Sequence, residues 1–458
     1  MSTAAGPAAL LAEAQALLPG IVAIRREIHR RPEVGTHLPQ TQRTILRALD
    51  GLGLTVRLGE RLSSVTAVLE GARPGRTILL RADMDALPQQ EATGLDFASE
   101  VPGVMHACGH DAHVAMLIGA ARLLAARRDR LAGRVVLMFQ PAEELGGGAL
   151  QMIEEGVLGG DGPGTAPVDG AFALHINSRH ESGTLHLRPG TQYAAADTLH
   201  ITVRGRGGHA AAPHKALDPI PVACEIVQAL QTMVARTIGV FDPAIVTIGR
   251  ISAGRAYNII PETAELTGTY RTLSEDGRRT VREGIARVAH GVAAAHGMTA
   301  DVHLPEGYPA VRNDPAFAAA VHRAATALLG PGRVHEPSWP TMGGEDGSYV
   351  LRRVPGAMAF LGACPPDRSP GTAPDNHSDR VVYDERALAT GTAVHCTVAQ
   401  AFLADGAGLG RIGRGAPAPG RQRPPAQPGR LHRRIPQAQQ LVVHLAQRHR
   451  YSRPCRAR

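Results

Sequence analysis

Lysine is nearly missing from this chain: Lys215 stands alone, and arginine carries the rest of the 49 positive charges. Aromatic residues are scarce at 3%, so a core has to come from aliphatic and alanine side chains, which 43% hydrophobic content over 458 residues allows. The five cysteines (108, 224, 364, 396 and 455) are odd in number and form no Cys-x-x-Cys pair. That excludes a disulfide framework and fits a reducing compartment. No basic stretch precedes an apolar run at the N-terminus, where Glu13 and Gln15 interrupt the alanines and leucines. With no uninterrupted apolar run of about 18 residues, neither a signal peptide nor a membrane span is expected, and the cytoplasm is the expected location.

Acidic residues are missing from one region only. Residues 404–458 hold twelve arginines and a single acid, Asp405, so +11 of the formal +8 sits there and residues 1–403 carry −3. A basic tail can bind nucleic acid or acidic lipid. This one is rich in Pro, Gly and Arg, and Tyr451 is its only aromatic. A disordered extension is expected, and nucleic acid is not an expected partner.

The body alternates in secondary structure. Residues 8–31 and 38–51 read as amphipathic helices. Strands Thr77–Leu80, Val135–Phe139 and Gly170–Leu174 then alternate with helices over 112–127 and 147–156. This predicts an α/β sheet covered on both faces, with its site at the strand ends. From about residue 190 the pattern becomes strand 198–203, helix 215–236, strands 245–251 and 263–271, helix 277–296 and strand 300–304. The β-α-β-β-α-β order is ferredoxin-like. The expected division is therefore 1–189 and 307–403 for the α/β domain, 190–306 for an inserted α+β domain, and 404–458 for the tail.

The chemistry concentrates in Met105-His106-Ala107-Cys108-Gly109-His110-Asp111-Ala112-His113. A thiol and imidazoles this close suit a borderline divalent ion, since thiolate and neutral imidazole are its preferred donors. Cys108 and His110 are the ligand candidates; His106 and His113 could instead orient ligands through a second ring nitrogen. Glu143-Glu144 follows an apolar strand and Pro141. Two glutamates in a row are usually a solvated turn, but here one can bind metal while the other faces a water. Asp83 and Asp85 follow a strand at a spacing that puts both on one face. His175 closes the third strand, and His377 lies in Asp375-Asn376-His377-Ser378-Asp379 before a final helix.

The chain resembles the aminoacylase/carboxypeptidase metallopeptidase superfamily, in its branch of N-acyl-amino-acid amidohydrolases that includes hippurate hydrolase and indole-acetyl-amino-acid hydrolases. The resemblance rests on Arg81-Ala82-Asp83-Met84-Asp85-Ala86-Leu87-Pro88, His106-Ala107-Cys108-Gly109-His110-Asp111 and Gln140-Pro141-Ala142-Glu143-Glu144. It continues through Gly207-Gly208-His209-Ala210-Ala211, Asn258-Ile259-Ile260-Pro261, Gly268-Thr269-Tyr270-Arg271-Thr272 and Gly343-Gly344-Glu345-Asp346, so it covers roughly residues 20–403. It implies a mixed-sheet catalytic domain holding two divalent ions per subunit on Cys108, His110, Glu144, His175 and His377. It also implies Glu143 as general base, Asp85 as an orienting group, and the inserted domain as a lid through which a homodimer forms. His209 would then reach the partner's site, and Asn258 and Arg271 would hold the carboxylate of a small-molecule substrate. A guanidinium suits that role because it donates two parallel hydrogen bonds.

The expected reaction is amide cleavage of N-acyl amino acids, hippurate-like or N-acetylated, with an activated water and a polarised amide oxygen. Manganese or zinc is the expected metal; cobalt and nickel also suit the donors. A dipeptidase or carboxypeptidase on the same scaffold is the near rival, and a ligand-binding scaffold or a tail-driven nucleic-acid binder the distant ones. Where the family commonly has an aromatic after Glu345-Asp346, this chain has Gly347, which leaves the pocket's shape and the role of Glu345 open.

Overall fold

The computed structural model describes residues 7–160 and 166–404. The predicted basic extension lies outside the described residues, apart from Ala404. Eight strands form one sheet in the order 55–58, 65–70, 132–140, 73–83, 170–181, 356–364, 185–186 and 334–335. The four central strands run parallel, and antiparallel pairings flank them, so the sheet is mixed.

Burial on both faces explains why these strands read as unbroken apolar runs. Ile78 and Leu80 face helices that include His110–Ala125, Pro315–Leu329 and Ala387–Ala404, while Leu79 faces Ala149, Met152 and Val350 on the other side. Each such buried leucine contributes roughly 1.5–3 kcal/mol. The strand Gly356–Cys364 returns late in the chain to pair with 170–181, completing the first sheet as expected.

By length and hydropathy, Pro7–Arg30 and Ala387–Ala404 could each cross a membrane. The leucines and alanines of the first make it apolar on average although Glu13 interrupts the run. The second is a core helix, with 72% of its window buried. The first buries Arg25, whose guanidinium pairs with Asp111 and Glu385, tying that helix to the sheet lobe.

A second sheet of four antiparallel strands, in the order 244–253, 263–272, 195–204 and 299–303, packs on helices Pro219–Thr237 and Glu275–Ala295. Asp218 and Ser274 cap these helices by accepting from the amides of Ile220 and Gly277. The lobes are joined by two antiparallel segments, Gly190–Tyr193 and Val311–Asn313, with Ala196 bridged to Tyr308.

One boundary differs with consequence for the site. The third strand runs on to Glu181, so His175 is mid-strand rather than terminal. Pairing with 356–364 holds the polar stretch Asn177–Glu181 in the sheet, a tertiary effect invisible in local pattern.

Candidate metal centre

The cluster begins at a glycine. Gly109 has φ 82° and precedes the helix His110–Ala125. A Cβ there would lie 2.4 Å from Ile176 Cγ2 and 3.0 Å from Tyr383 Cζ. Only glycine fits both the left-handed backbone and the space. The turn lets Cys108 and His110, on either side of it, reach the same ion site.

Five groups of possible ligand atoms result among the described residues; two of them, Cys108–His110–His175 and Cys108–Glu144–His377, share the thiol, and Asp83–His110–His113, His110–Glu143–Glu144 and Glu143–Glu345–Asp346 adjoin them. Cys108 Sγ is 3.4 Å from His175 Nε2 and 3.2 Å from His377 Nε2. His377 Nε2 is also 3.2 Å from Glu144 Oε1. His175 Nδ1 contacts the carbonyl of Ile176 at 2.8 Å and must donate to it, which leaves the Nε2 lone pair directed at the cluster. Burial first, then neighbouring charge, pushes the His175 pKa down to about 3, so the ring is neutral. Hydrogen bonds to Cys108 and Glu144 instead push His377 up to about 10.

A metal fits this donor set. Both nitrogens of His110 are buried without a hydrogen bond, although Asp85 Oδ1 stands 3.4 Å from His110 Nδ1. Buried polar atoms rarely go unpartnered, and His110 is a member of one of the triads. Burial opposes charging His110, yet Asp83 and the Cys108 thiol hold its pKa well above the ordinary value. Burial raises the Cys108 thiol. An arriving cation would therefore displace protons.

Glu143 and Glu144 leave the strand Ala132–Gln140 through Pro141 and Ala142, whose φ of 58° is unusual for a side chain. His377 is the other non-glycine residue with positive φ among the described residues, at 70°. Strained backbone thus stands beside both ends of the Cys108–Glu144–His377 triad. Asp85 accepts from the amides of Glu143 (3.0 Å) and Glu144 (3.1 Å), fixing the pair from below. Tyr308 donates its hydroxyl proton to the Glu143 carbonyl at 2.7 Å. Burial, then Glu345, Glu144 and Asp346, raise the Glu143 carboxyl well above the usual range.

Behind the triads lies a layer that motif reading did not find. The Arg81 guanidinium is buried and holds Gln140 (2.6 Å), Asp346 (2.8 Å), Glu345 (2.9 Å) and Asp83 (3.2 Å). Its signal in the sequence is that Arg81, Asp83, Gln140, Glu345 and Asp346 all fall within the motifs that carry the family resemblance. Asp83 also meets His113 Nδ1 at 2.5 Å, while His113 Nε2 accepts from the Ile176 amide. Both nitrogens of His113 are thus engaged, and it orients neighbours without a free lone pair. His106 belongs to neither triad; it lies toward His29, 6.2 Å between centroids.

The remaining predicted residues lie on the smaller lobe. His209 sits on a two-stranded ribbon, pairing with Ile259, with Asn258 in the turn just before it, and both are exposed. No hydrogen bond or ion pair joins them to the triads among the described residues. Arg271 is different: a Cβ on Gly344 would lie 3.2 Å from its Nη1, so it stands against the Gly343–Asp346 loop. Burial lowers its pKa, and no carboxylate pairs with it among the described residues.

A mixed α/β sheet carrying a buried thiol–imidazole–carboxylate cluster beside a spare glutamate defines a hydrolase of metallopeptidase type. The chain belongs to peptidase family M20/M25/M40, whose model matches residues 79–401. It is 39% identical over 386 residues to thermostable carboxypeptidase 1 of Saccharolobus solfataricus, covering 83% of this chain and 95% of that one. It is 38% identical over 346 residues to N-acetyl-L-cysteine deacetylase of Bacillus subtilis, covering 75% and 80%. A solved Bacillus subtilis structure, described as a dinuclear metal binding peptidase of this family, superposes with TM-score 0.73 at 33% identity, covering 85% and 99%. The chain is an amidohydrolase and a metal-binding protein.

Proposed function

We propose that this enzyme hydrolyses the amide bond of N-acyl amino acids, releasing a carboxylic acid and a free amino acid. The observation that carries this reading is the pair of ligand triads sharing Cys108, set beside the buried carboxyl of Glu143. Cys108, His110, Glu144, His175 and His377 would hold two divalent ions, with manganese or zinc best matched to the donors. Such ions, when bound, acidify water and polarise a carbonyl. Glu143 takes the water's proton and returns it to the leaving nitrogen, a task suited to a carboxyl whose pKa burial and the neighbouring Glu345, Glu144 and Asp346 raise. Asp85 holds the Glu143–Glu144 backbone through that transfer.

The N-acylated end of the reading draws on the relative named a deacetylase. The free carboxylate of the substrate is assigned to Arg271, which stands half-buried and unpaired beside the Gly343–Asp346 loop, with Asn258 assisting. Residues 190–306 would act as a lid and dimerisation domain between 1–189 and 307–403. Val240, Phe241 and Tyr257, which are 82%, 99% and 100% exposed, support burial there against a second copy. In such a dimer His209 would serve the partner's centre by polarising the scissile carbonyl, consistent with its lack of contacts to its own. The cysteine usage supports a reducing, cytoplasmic setting.

A carboxypeptidase or dipeptidase reading has its own support in the relative named a carboxypeptidase. Hydrolysis of a panel of N-acetyl and N-benzoyl amino acids and of dipeptides, after reconstitution with each metal, tests the proposal. Faster turnover of N-acyl amino acids supports it; cleavage of dipeptides alone replaces it with the second reading.

A further inference from the structure

One buried polar group at the centre has no part in the reaction described so far. Tyr193 enters from Gly190–Tyr193, the outgoing strand between the lobes. Its ring packs on Phe360 at 5.0 Å and on the ligand candidate His175 at 6.3 Å. A Cβ on Gly343 would touch its ring edge at 3.6 Å. The residue is 6% exposed, and its hydroxyl is buried with no hydrogen-bond partner among the described residues.

The two nitrogens of His110, a member of a ligand triad, are orphaned at this centre as well. The Tyr193 hydroxyl is as enclosed as they are. The anionic groups whose charge acts on it are already hydrogen-bonded: Glu345 by Arg81 and the Gly347 amide, Asp83 by His113 and Arg81, Cys108 by His377. A phenol among anions can only be a donor here. Burial, then the charge of Glu345, Cys108, Glu143 and Asp83, keeps it protonated far above its ordinary range. A neutral donor held rigidly in a water-poor site is the arrangement that stabilises developing negative charge.

We propose that Tyr193 is a catalytic residue whose hydroxyl donates a hydrogen bond to the substrate's amide oxygen as that oxygen takes on charge. The proposal rests on the reading that an amide is cleaved at this centre. It gives the catalytic lobe an oxyanion donor of its own, independent of His209.

The test is Tyr193→Phe in the metal-reconstituted enzyme, with the wild type alongside, on whichever amide of the panel the wild type cleaves. Removing one such donor should lower kcat by about 10²-fold, with KM within about threefold and metal content unchanged. Calorimetric binding of a phosphonamidate analogue of the substrate, whose tetrahedral oxygens mimic the charged state, should weaken by a comparable factor. The metal-free variant should melt no lower than the metal-free wild type, because the deleted hydroxyl bonds nothing. Unchanged kcat and analogue affinity, or a loss confined to KM, would overturn the proposal. A lower melting temperature with unaltered kcat would make the hydroxyl structural and overturn it too. If the wild type cleaves no amide, the amidohydrolase reading fails separately, and equal analogue binding by both proteins then rejects the role of Tyr193.

Discussion

The two lobes bury different things. The smaller one is a conventional amphipathic sandwich whose interior is Leu199, Ile201, Val203, Leu266 and their like. Between 195 and 304 its fully buried polar residues are Asp197, Thr272 and Arg278. The larger lobe also has an aliphatic core, yet it encloses Arg25, Arg81, Asp83, Asp85, His106, His110, Asp111, His113, Glu143, His175, Glu345 and Asp346. Burying that many ionisable groups is costly unless each is partnered. Where the fold alone is at stake the chain uses hydrocarbon; where chemistry is at stake it buries charge.

The sharpest way to break this comparison is to remove charge from the larger lobe and watch stability. Glu143→Gln should lower turnover by at least ~10²-fold, the scale of a general base, with metal content near normal. It should leave the melting temperature unchanged or raise it, since Glu143 is crowded by Glu345, Glu144 and Asp346. Full activity in this variant would end the assignment of Glu143 as base. The smaller lobe should answer in the opposite way. Arg278 grips Asp197 through two bonds of 2.8 and 2.6 Å, and Asp197 also accepts from the Gly307 amide at the junction. Asp197→Asn breaks a buried pair and should cost about 3–5 kcal/mol, read by denaturant unfolding. A loss under 1 kcal/mol (~) would show the junction does not depend on that pair.

How much of this was legible beforehand follows from distance along the chain. Cys108, His110 and Glu143–Glu144 were readable because their neighbours in sequence are also their neighbours in space, and the inserted β-α-β-β-α-β unit was readable because its periodicity is local. His377 was not persuasive alone; it meets Cys108 across 269 positions, and only the family resemblance singled it out. The contacts that make Arg81 a hub were invisible for the same reason, since Glu345 and Asp346 come from the other end of the lobe. The strand Thr55–Leu58 alternates polar and apolar residues over only four positions, too short a run to stand out, and all four are exposed. His113 shows the limit of motif reading: the sequence leaves it open as ligand or orienting group, and only the structure, where Asp83 and the Ile176 amide occupy both nitrogens, selects the second.

Acid should separate the lobes. Burial pushes His106 and His395, both in the larger lobe, down to about 3. Unfolded, each titrates near 6.5. Between those values the unfolded chain binds more protons, so stability is complete above about pH 6.5 and falls as pH drops toward 3. The raised pKa of His29 opposes this in part, because its pairing with Asp111 favours the protonated ring. In the smaller lobe the resolved histidine shift is that of His200, lowered and only partly buried. Hydrogen exchange near pH 5 should therefore show strand Gly170–Glu181 losing protection before strand Thr263–Thr272. Simultaneous loss would mean the lobes unfold as one unit, and the contrast would carry no thermodynamic weight.

The smallest effect tests whether the half-buried guanidinium of Arg271, without an ion pair among the described residues, is spent on substrate. Arg271 gains nothing from the fold: burial lowers its pKa, and Asp197 alone opposes that. Arg271→Lys keeps the charge but loses the two-pronged geometry that matches a carboxylate. KM for an N-acyl amino acid should rise about tenfold, the loss of one charge-assisted bond, with kcat nearly constant and the melting temperature unchanged. The corresponding amino-acid amide, which lacks the carboxylate, should be cleaved equally by both proteins. If the variant instead melts lower with KM unaltered, Arg271 belongs to the fold, and the smaller lobe too would be burying charge for stability.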